Sequence, residues 1–343
     1  MVDTKNLKLV AIGNPLLDMQ VRDGQALLDK YNLKPNDAVL ASPEQQGIYK
    51  EMVDSYQVAY VAGGAAQNMA RCAQYVLPEG STAYIGAVGK DQLADQLRAA
   101  NDREGVQSVY QVVDGTPTGS CAVVITGHDR SLCTNLGAAE KFNKSHLSAP
   151  ETQTVLDAAG FYYVGGFFLS HGVESAVELA KRAKAANKPF SFNLSAPFIP
   201  QFFKKEVDQV LPYAQLVIGN ESEAEAWATA SGMQTKDLGE IAQAIANAPS
   251  EVGQRTVLVT NGAKATIRAV QGEAQPHIHE VPKINPADIV DTNGAGDAFA
   301  GGVVAGLILG KPIDVAIDVG HRLGGMCIGQ VGPVLRFPKE KVL

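Results

Sequence analysis

Residues 291–302 read DTNGAGDAFAGG. Small residues surround a carboxylate, Asp297, just before an apolar run that reaches Gly310 as GDAFAGGVVAGLILG. Gly294, Ala295 and Gly296 carry no bulky side chain, so three consecutive backbone N–H groups can approach a ligand closely. A helix starting near Gly296 or Asp297 adds the partial positive charge of its N-terminus. Charge developing on transferring phosphoryl oxygens is stabilised in such a place. The carboxylate itself does not grip phosphate; it is suited to accept the proton of an attacking hydroxyl. The same residues also fit an ordinary Asp N-cap, worth about 1 kcal/mol. The paired glycines before Asp297 and the small-residue helix after it favour chemistry. Two other phosphate motifs fail. The pattern GxxxxGK[ST] is missing, because GAVGKD (86–91) has the wrong spacing and no Ser or Thr after Lys90. GxGxxG is missing too, because the next glycine after Gly296 is Gly301. A dinucleotide oxidoreductase is therefore poorly supported.

Outward from this stretch, apolar runs alternate with amphipathic ones. LKLVAIG (7–13), STAYIGAVGKD (81–91), GFYYVGGFF (160–168), PFSFNLS (189–195), QLVIGN (215–220) and RTVLVTNGA (255–263) read as strands with glycine or asparagine exits. QVAYVAGGAAQNMARCAQYVL (57–77) reads as strand, glycine turn and helix, with Ala66, Met69, Ala70, Ala73 and Val76 as the buried stripe. Further helices are expected over 24–34, 174–188, 238–248, 296–310 and 312–329. Such alternation predicts an α/β fold with a central, mainly parallel sheet flanked by helices. Ligands of such sheets collect at the carboxyl ends of the strands. One stretch departs from the pattern: TGSCAVVITGHDRSLCTNLGAA (118–139) reads as two strands joined by GHDR, a hairpin-like turn. With 17–65 it reads as a small β-rich lid. The expected division is a large catalytic and nucleotide-binding domain of 1–16, 66–117 and 139–343, and a lid domain of 17–65 and 118–138.

The 343 residues suit one large α/β domain or two smaller ones. With 45% hydrophobic and 19% charged residues the composition is that of a globular protein. A net charge of −7 argues against a nucleic-acid partner, although backbone N–H groups can hold phosphate whatever the net charge. Cys72, Cys121, Cys133 and Cys327 show neither CxxC nor zinc-ligand spacing, which suits free thiols in a reducing compartment. The N-terminus lacks a signal-peptide pattern and no stretch approaches the ~18–20 apolar residues of a membrane span. A cytoplasmic protein, also nuclear and with no membrane partner, is the expectation.

Other stretches carry polar residues at strand exits. In AGGAAQN, Gly63 and Gly64 allow close backbone approach, and Asn68 follows near a helix start. An amide both donates and accepts, which suits sugar hydroxyls. In GNPLLD, Asn14 and Asp18 flank a turn, and an ionised Asp can accept from two vicinal hydroxyls. In GNESE (219–223), Asn220 and Glu223 share a helix face. They could orient Mg²⁺-bound water and phosphate, or form a plain capping box. Arg130, at the tip of GHDRS, could close over phosphate from a mobile lid or lie on the surface. His277 and His279 share one strand face, too little for a metal site. His321 could pack on a nucleobase or in the core.

Together, DTNGAGD and the upstream GGAAQN resemble the paired signatures of the ribokinase-like (PfkB) carbohydrate and nucleoside kinase family. The resemblance spans nearly the whole chain. Within the family, GNPLLD, DRSL, GGFFL, NLSAPFI and DTNGAGDAFAGG match the adenosine-phosphorylating branch in order and spacing. It implies a ribokinase-like fold and phosphoryl transfer from ATP to the 5′-hydroxyl of adenosine, giving AMP, with Mg²⁺ as cofactor. Asp297 is then the base and Gly294, Ala295 and Gly296 the anion hole. Asp18, Gly64 and Asn68, with Gly63 and Asn14 nearby, hold the ribose. Leu16, Leu40, Leu132, Thr134, Leu136 and Phe168 wall the adenine, and Arg130 reaches the transferring phosphate. Thr134 brings a hydroxyl where this wall is usually smaller and apolar, which could tune base preference. Asn220 and Glu223 match an Asn-x-x-Glu motif linked to Mg²⁺, through water, and phosphate. Thr260, Asn261, Gly262 and His321 lie around the ATP nucleoside, and Asp291 stands where some relatives bind a monovalent cation such as K⁺. The branch implies a monomer.

Overall fold

Strand β1 (Leu9–Ile12) is buried along its whole length and lies inside a nine-stranded sheet. In the computed structural model, which describes residues 3–35, 38–127 and 129–343, the other strands of this sheet are β5 (Thr82–Val88), β6 (Val106–Val112), β9 (Phe161–Gly165), β10 (Phe190–Asn193), β11 (Leu216–Asn220), β12 (Thr256–Asn261), β13 (Ala265–Val270) and β14 (His277–Glu280). Their order is β14-β13-β12-β11-β10-β9-β1-β5-β6. From β12 to β6 every neighbouring pair is parallel; β13 and β14 add an antiparallel edge. β5 and β9 are buried at every position, as expected for strands covered by helices on both faces. Leu9 pairs with both Thr82 and Phe161, and there the strand order reverses. That reversal opens a crevice at the carboxyl ends of β1 and β9. The antiparallel β13–β14 extension and β6 are absent from the sequence expectation, apart from the shared face of His277 and His279.

A second sheet has the order β3-β8-β7-β2-β4, from β2 (Leu16–Arg22), β3 (Ala38–Leu40), β4 (Ala59–Gly63), β7 (Ser120–Thr126) and β8 (Asp129–Asn135). β7 and β8 form the expected antiparallel hairpin; His128, in its turn, lies outside the described residues. Helices Gln25–Tyr31 and Gly47–Ser55 cover the sheet's outer face with Leu27, Leu28, Ile48 and Met52. Helical cover on this part was expected only over 24–34.

Three helices pack closely under the crevice: Ala65–Val76, Ala295–Ile308 and Ile313–Ile328. A Cβ on Gly302 would meet the Gly320 backbone at 2.8 Å, so the last two helices touch at backbone distance. At the far end of the sheet, fully buried Arg255 gathers chain ends. Its guanidinium donates to the carbonyls of Leu211, Ala214, Ile245, Ala246, Ala248 and Pro249 at 2.8–3.3 Å. Carbonyls at the end of helix Leu238–Asn247 have no partner within the helix, and Arg255 supplies one. Burial lowers its pKa to about 10, which leaves it charged at neutral pH. Arg255→Met leaves these buried carbonyls without a donor. It is expected to lower unfolding free energy by about 3 kcal/mol or more in urea titration; an unchanged midpoint would show that water replaces the guanidinium.

Candidate active site

A cavity of about 660 Å³ lies between the two sheets at the crevice. Gly13, Gly165, Asn193, Asn220 and Thr260, at the exits of β1, β9, β10, β11 and β12, form its floor. Asp18, Leu40, Arg130, Leu132 and Thr134 reach it from the smaller sheet. Gly294, Gly296 and Asp297 close one end.

Gly294 is the N-cap of helix Ala295–Ile308, with φ 80°. A side chain there would be strained, and its Cβ would lie 2.5 Å from Cβ of Pro333. Asp297 is thus the third residue of the helix, not its cap, and the plain N-cap reading is excluded. Its carboxylate instead accepts a hydrogen bond from Asn68 Nδ2 at 2.9 Å. Gly296 is exposed, and a Cβ there would meet nothing within 4 Å. The Ala295 N–H bonds the Thr292 carbonyl at 3.3 Å, and Ala295 does not line the cavity. Burial pushes the Asp297 pKa up to about 7, against the opposing pull of Asn68 and the Arg71 charge.

Asp18, on β2, is buried beneath Gly63: a Cβ on Gly63 would stand 2.2 Å from Asp18 Oδ1. Gly63 thus makes room for the carboxylate rather than lining the cavity. Gly64, at φ 87°, turns the chain from β4 into helix Ala65–Val76. Burial raises Asp18 to about 7 as well; Arg71 lowers it and Asp297 raises it. Asn14 lines the cavity, and its Oδ1 is 2.9 Å from Nε2 of His171, a contact without a sequence signal. Across the smaller sheet, Leu40, Thr134, Cys121 and Asp18 are successive partners on β3, β8, β7 and β2. Strand spacing of about 4.8 Å makes this a row leading away from Asp18. The Thr134 hydroxyl donates to Cys121 Sγ at 3.3 Å. Leu16, Leu132, Leu136 and Phe168 complete an apolar wall; Phe168 is held edge-on by Phe142.

Arg130 is not at a turn tip. It is the second residue of β8, only 5% exposed, lines the cavity and pairs with the buried Asp291. Asp291 is also buried and accepts from the N–H groups of Asn293 and Gly332. Arg130 Nη1 is buried without a partner.

Asn220 and Glu223 form the capping box of helix Glu221–Ala230, with bonds of 2.9–3.0 Å. Both also line the cavity, so the structural reading of this pair holds and its functional one stays open. Burial raises Glu223 to about 7. Thr260 lines the cavity, while Asn261 and Gly262 follow it out of β12. His321 is not at the cavity: it is buried, with Nε2 2.8 Å from Thr266 Oγ1 and its ring on Phe299. Sequence reasoning missed Arg71, 3% exposed, whose Nη2 donates to Asn68 Oδ1 at 2.8 Å. Its signal was a basic residue three positions after Asn68, in a helix buried nearly all round.

The chain matches the model of the pfkB family carbohydrate kinases over residues 25–340. It is 51% identical over 342 residues to adenosine kinase of Schizophyllum commune, covering 98% of this chain and 99% of that one. Adenosine kinase of Schizosaccharomyces pombe is 47% identical over 337 residues, covering 97% of each. Among solved structures, Anopheles gambiae adenosine kinase in complex with P1,P4-di(adenosine-5) tetraphosphate is similar with a TM-score of 0.91 at 40% identity, covering 96% of each chain. Schistosoma mansoni adenosine kinase with 2-fluoroadenosine gives 0.93 at 32% identity, covering 97% of this chain and 98% of that one.

The carboxyls of Asp18 and Asp297 are expected to titrate near 7, as a coupled pair. Carbon-13 NMR of aspartate-labelled protein checks this; two ordinary titrations near 4 would contradict it.

Proposed function

Because the chain belongs to the pfkB family of carbohydrate kinases, we propose that it transfers the γ-phosphoryl group of ATP to the 5′-hydroxyl of adenosine, giving AMP and ADP in purine salvage. The observation that carries this reading is one cavity in which two of the lining carboxylates, Asp18 and Asp297, have different neighbours. Asp297 sits at a glycine-flanked helix start; Asp18 begins a row that turns apolar away from it. Relatives alike over almost the whole chain carry the same activity in their names.

Adenosine lies along the row, ribose at Asp18 and Asn68 beside Asn14 and Gly64, base on the wall of Leu16, Leu40, Leu132, Thr134, Leu136 and Phe168. Ribose hydroxyls donate to Asp18 and favour its ionised form. The ionised Asp297 takes the 5′-hydroxyl proton as that oxygen attacks the γ-phosphorus and the bond to the ADP oxygen breaks. The helix N-terminus and the backbone of Gly294 and Gly296 stabilise charge on the transferring oxygens; Ala295 joins this expected anion hole only when its N–H leaves the Thr292 carbonyl. Arg130 leaves Asp291 for the phosphate, and its unpartnered Nη1 supports that role. A K⁺ ion is then a fitting counter-charge for Asp291. The smaller sheet acts as the lid, within the division at 17–65 and 118–138, and its closure excludes water. Thr260, Asn261 and Gly262 are the stretch assigned to the ATP nucleoside; His321 joins it only by leaving its core position.

No group of three metal-ligating side chains occurs among the described residues. Mg²⁺ needs none, since it binds through phosphates, water and one or two carboxylates. Glu223 and Asn220 fit as acceptors for its water, and the ion neutralises phosphate charge when bound. No helix among the described residues is long and apolar enough to cross a membrane. The setting proposed is a cytoplasmic and nuclear monomer without a nucleic-acid partner, to which the four buried free cysteines lend support.

The second reading is another nucleoside or sugar kinase of the family. The apolar wall disfavours a free sugar, which has no base to place there. ADP release measured in parallel with adenosine, guanosine, inosine and ribose is expected to be fastest with adenosine; faster turnover of ribose would overturn the assignment. Asp297→Ala is expected to lower kcat by about 100-fold or more with adenosine affinity little changed. In the wild type, kcat/KM is expected to rise with pH through about 7, because the base must be ionised. Turnover near the wild-type rate in Asp297→Ala would remove Asp297 from the mechanism.

A further inference from the structure

We infer that Arg71 is a positioning residue for this phosphoryl transfer: it holds the Asn68 amide in one orientation and thereby aims the second oxygen of Asp297 at the acceptor hydroxyl. The inference rests on the kinase reading and adds a group outside the cavity's lining.

Asn68 and Arg71 lie three residues apart on helix Ala65–Val76, and therefore on one face. An amide can present either its NH₂ or its oxygen to a neighbour. Arg71 Nη2 donates to Asn68 Oδ1 at 2.8 Å, so the oxygen is taken. What remains for Asp297 is the NH₂, which donates to Oδ2 at 2.9 Å. Asp297 Oδ1 is left to receive a proton. Without the guanidinium the amide can turn and set its oxygen against the carboxylate, which repels the ionised form.

Arg71 also joins three segments that meet at the reaction site. It donates to the carbonyl of Ala62, just before Gly63 and Gly64, at 2.9 Å. The same Nη2 lies 3.2 Å from the carbonyl of Pro333, whose ring backs Gly294; with two hydrogens for three acceptors, one of these bonds is shared. The guanidinium thus anchors the chain entering the ribose turn, the amide on Asp297 and the segment behind the anion hole. Its Nε, 3.8 Å from Glu104 Oε2, makes no hydrogen bond.

The groups around Asp297 come from several elements. Asp18 faces it from β2, Arg130 from β8, Glu223 from helix Glu221–Ala230, and Asp291 precedes its turn. Tyr84, Tyr163, Cys72 and Cys327 also adjoin it; burial pushes each well up, so they are uncharged at neutral pH. Arg71 is the cation that lowers the Asp297 carboxyl directly.

The test compares Arg71→Lys, Arg71→Met, Asn68→Ala and the double variant Arg71→Lys/Asn68→Ala in the full chain. kcat and KM for adenosine are measured across pH, with circular dichroism as the check on folding. In Arg71→Met the acidic limb of kcat/KM is expected to move up by about half a pH unit or more, with activity recovering at alkaline pH. Arg71→Lys keeps the charge but not the guanidinium's hold on the Asn68 oxygen, so its limb moves up less than that of Arg71→Met while kcat falls roughly tenfold. If Arg71 acts through Asn68, adding Arg71→Lys to Asn68→Ala costs little further kcat. Additive losses in that cycle overturn the inference, even if Arg71→Met does not fold. An unmoved limb in folded Arg71→Met overturns it too. A wild-type protein without adenosine-dependent ADP release would instead sink the kinase reading.

Discussion

The hydrogen bond from Asn68 to Asp297 joins residues 229 positions apart, and much of the architecture is needed to make it. Asn68 stands in the first turn of a helix that leaves β4 of the smaller sheet. Asp297 stands in the first turn of another helix, after β11, β12 and the antiparallel edge have been laid down. Both helices must begin at the carboxyl end of the sheet, side by side. Parallel strands with helical crossovers bring their starts to that end. Small residues let the helices touch there: a Cβ on Gly301 would lie 2.6 Å from Cβ of Cys72. The closeness leaves the Asp297 carboxylate half-buried at one end of the cavity, and desolvation there raises its pKa.

Charge at the site has a consistent logic. Asp18 and Asp297 are both pushed up to about 7, mainly by burial, and the Asp297 charge adds to the rise at Asp18. A net charge of −7 is compatible with phosphate binding, because backbone N–H groups at a helix start can hold an anion whatever the net charge. Arg130 is held by the buried Asp291. The pair links the smaller sheet to the turn before Asp297.

Most of the frame was legible in the sequence. Apolar runs with glycine exits located the parallel strands, since buried strands are apolar throughout. DTNGAGD located a helix start at one end of the cavity, because backbone exposure there needs small residues. What stayed hidden depends on packing that no spacing reveals. Arg130 read as a turn residue because DR follows a glycine; register with Ile125 puts it in β8, facing Asp291. His321 read as a nucleotide contact, but Thr266 and Phe299 hold it inside. Arg71 carried no motif at all. Its meaning lies in partners at positions 62, 68 and 333, which only the fold assembles. β13 was missed because its short ATIRAV run is interrupted by Arg268; of β14, the exposed edge strand, only the shared face of His277 and His279 was legible.

The central claim is that one nucleoside spans Asp18 and Asp297. A crystal structure with adenosine and a non-hydrolysable ATP analogue measures it directly. The account predicts ribose hydroxyls on Asp18 and the 5′-oxygen within about 2.6–3.2 Å of Asp297. A nucleoside bound with its 5′-hydroxyl turned away from Asp297, or with its base at the helix start and not on the apolar wall, would contradict it.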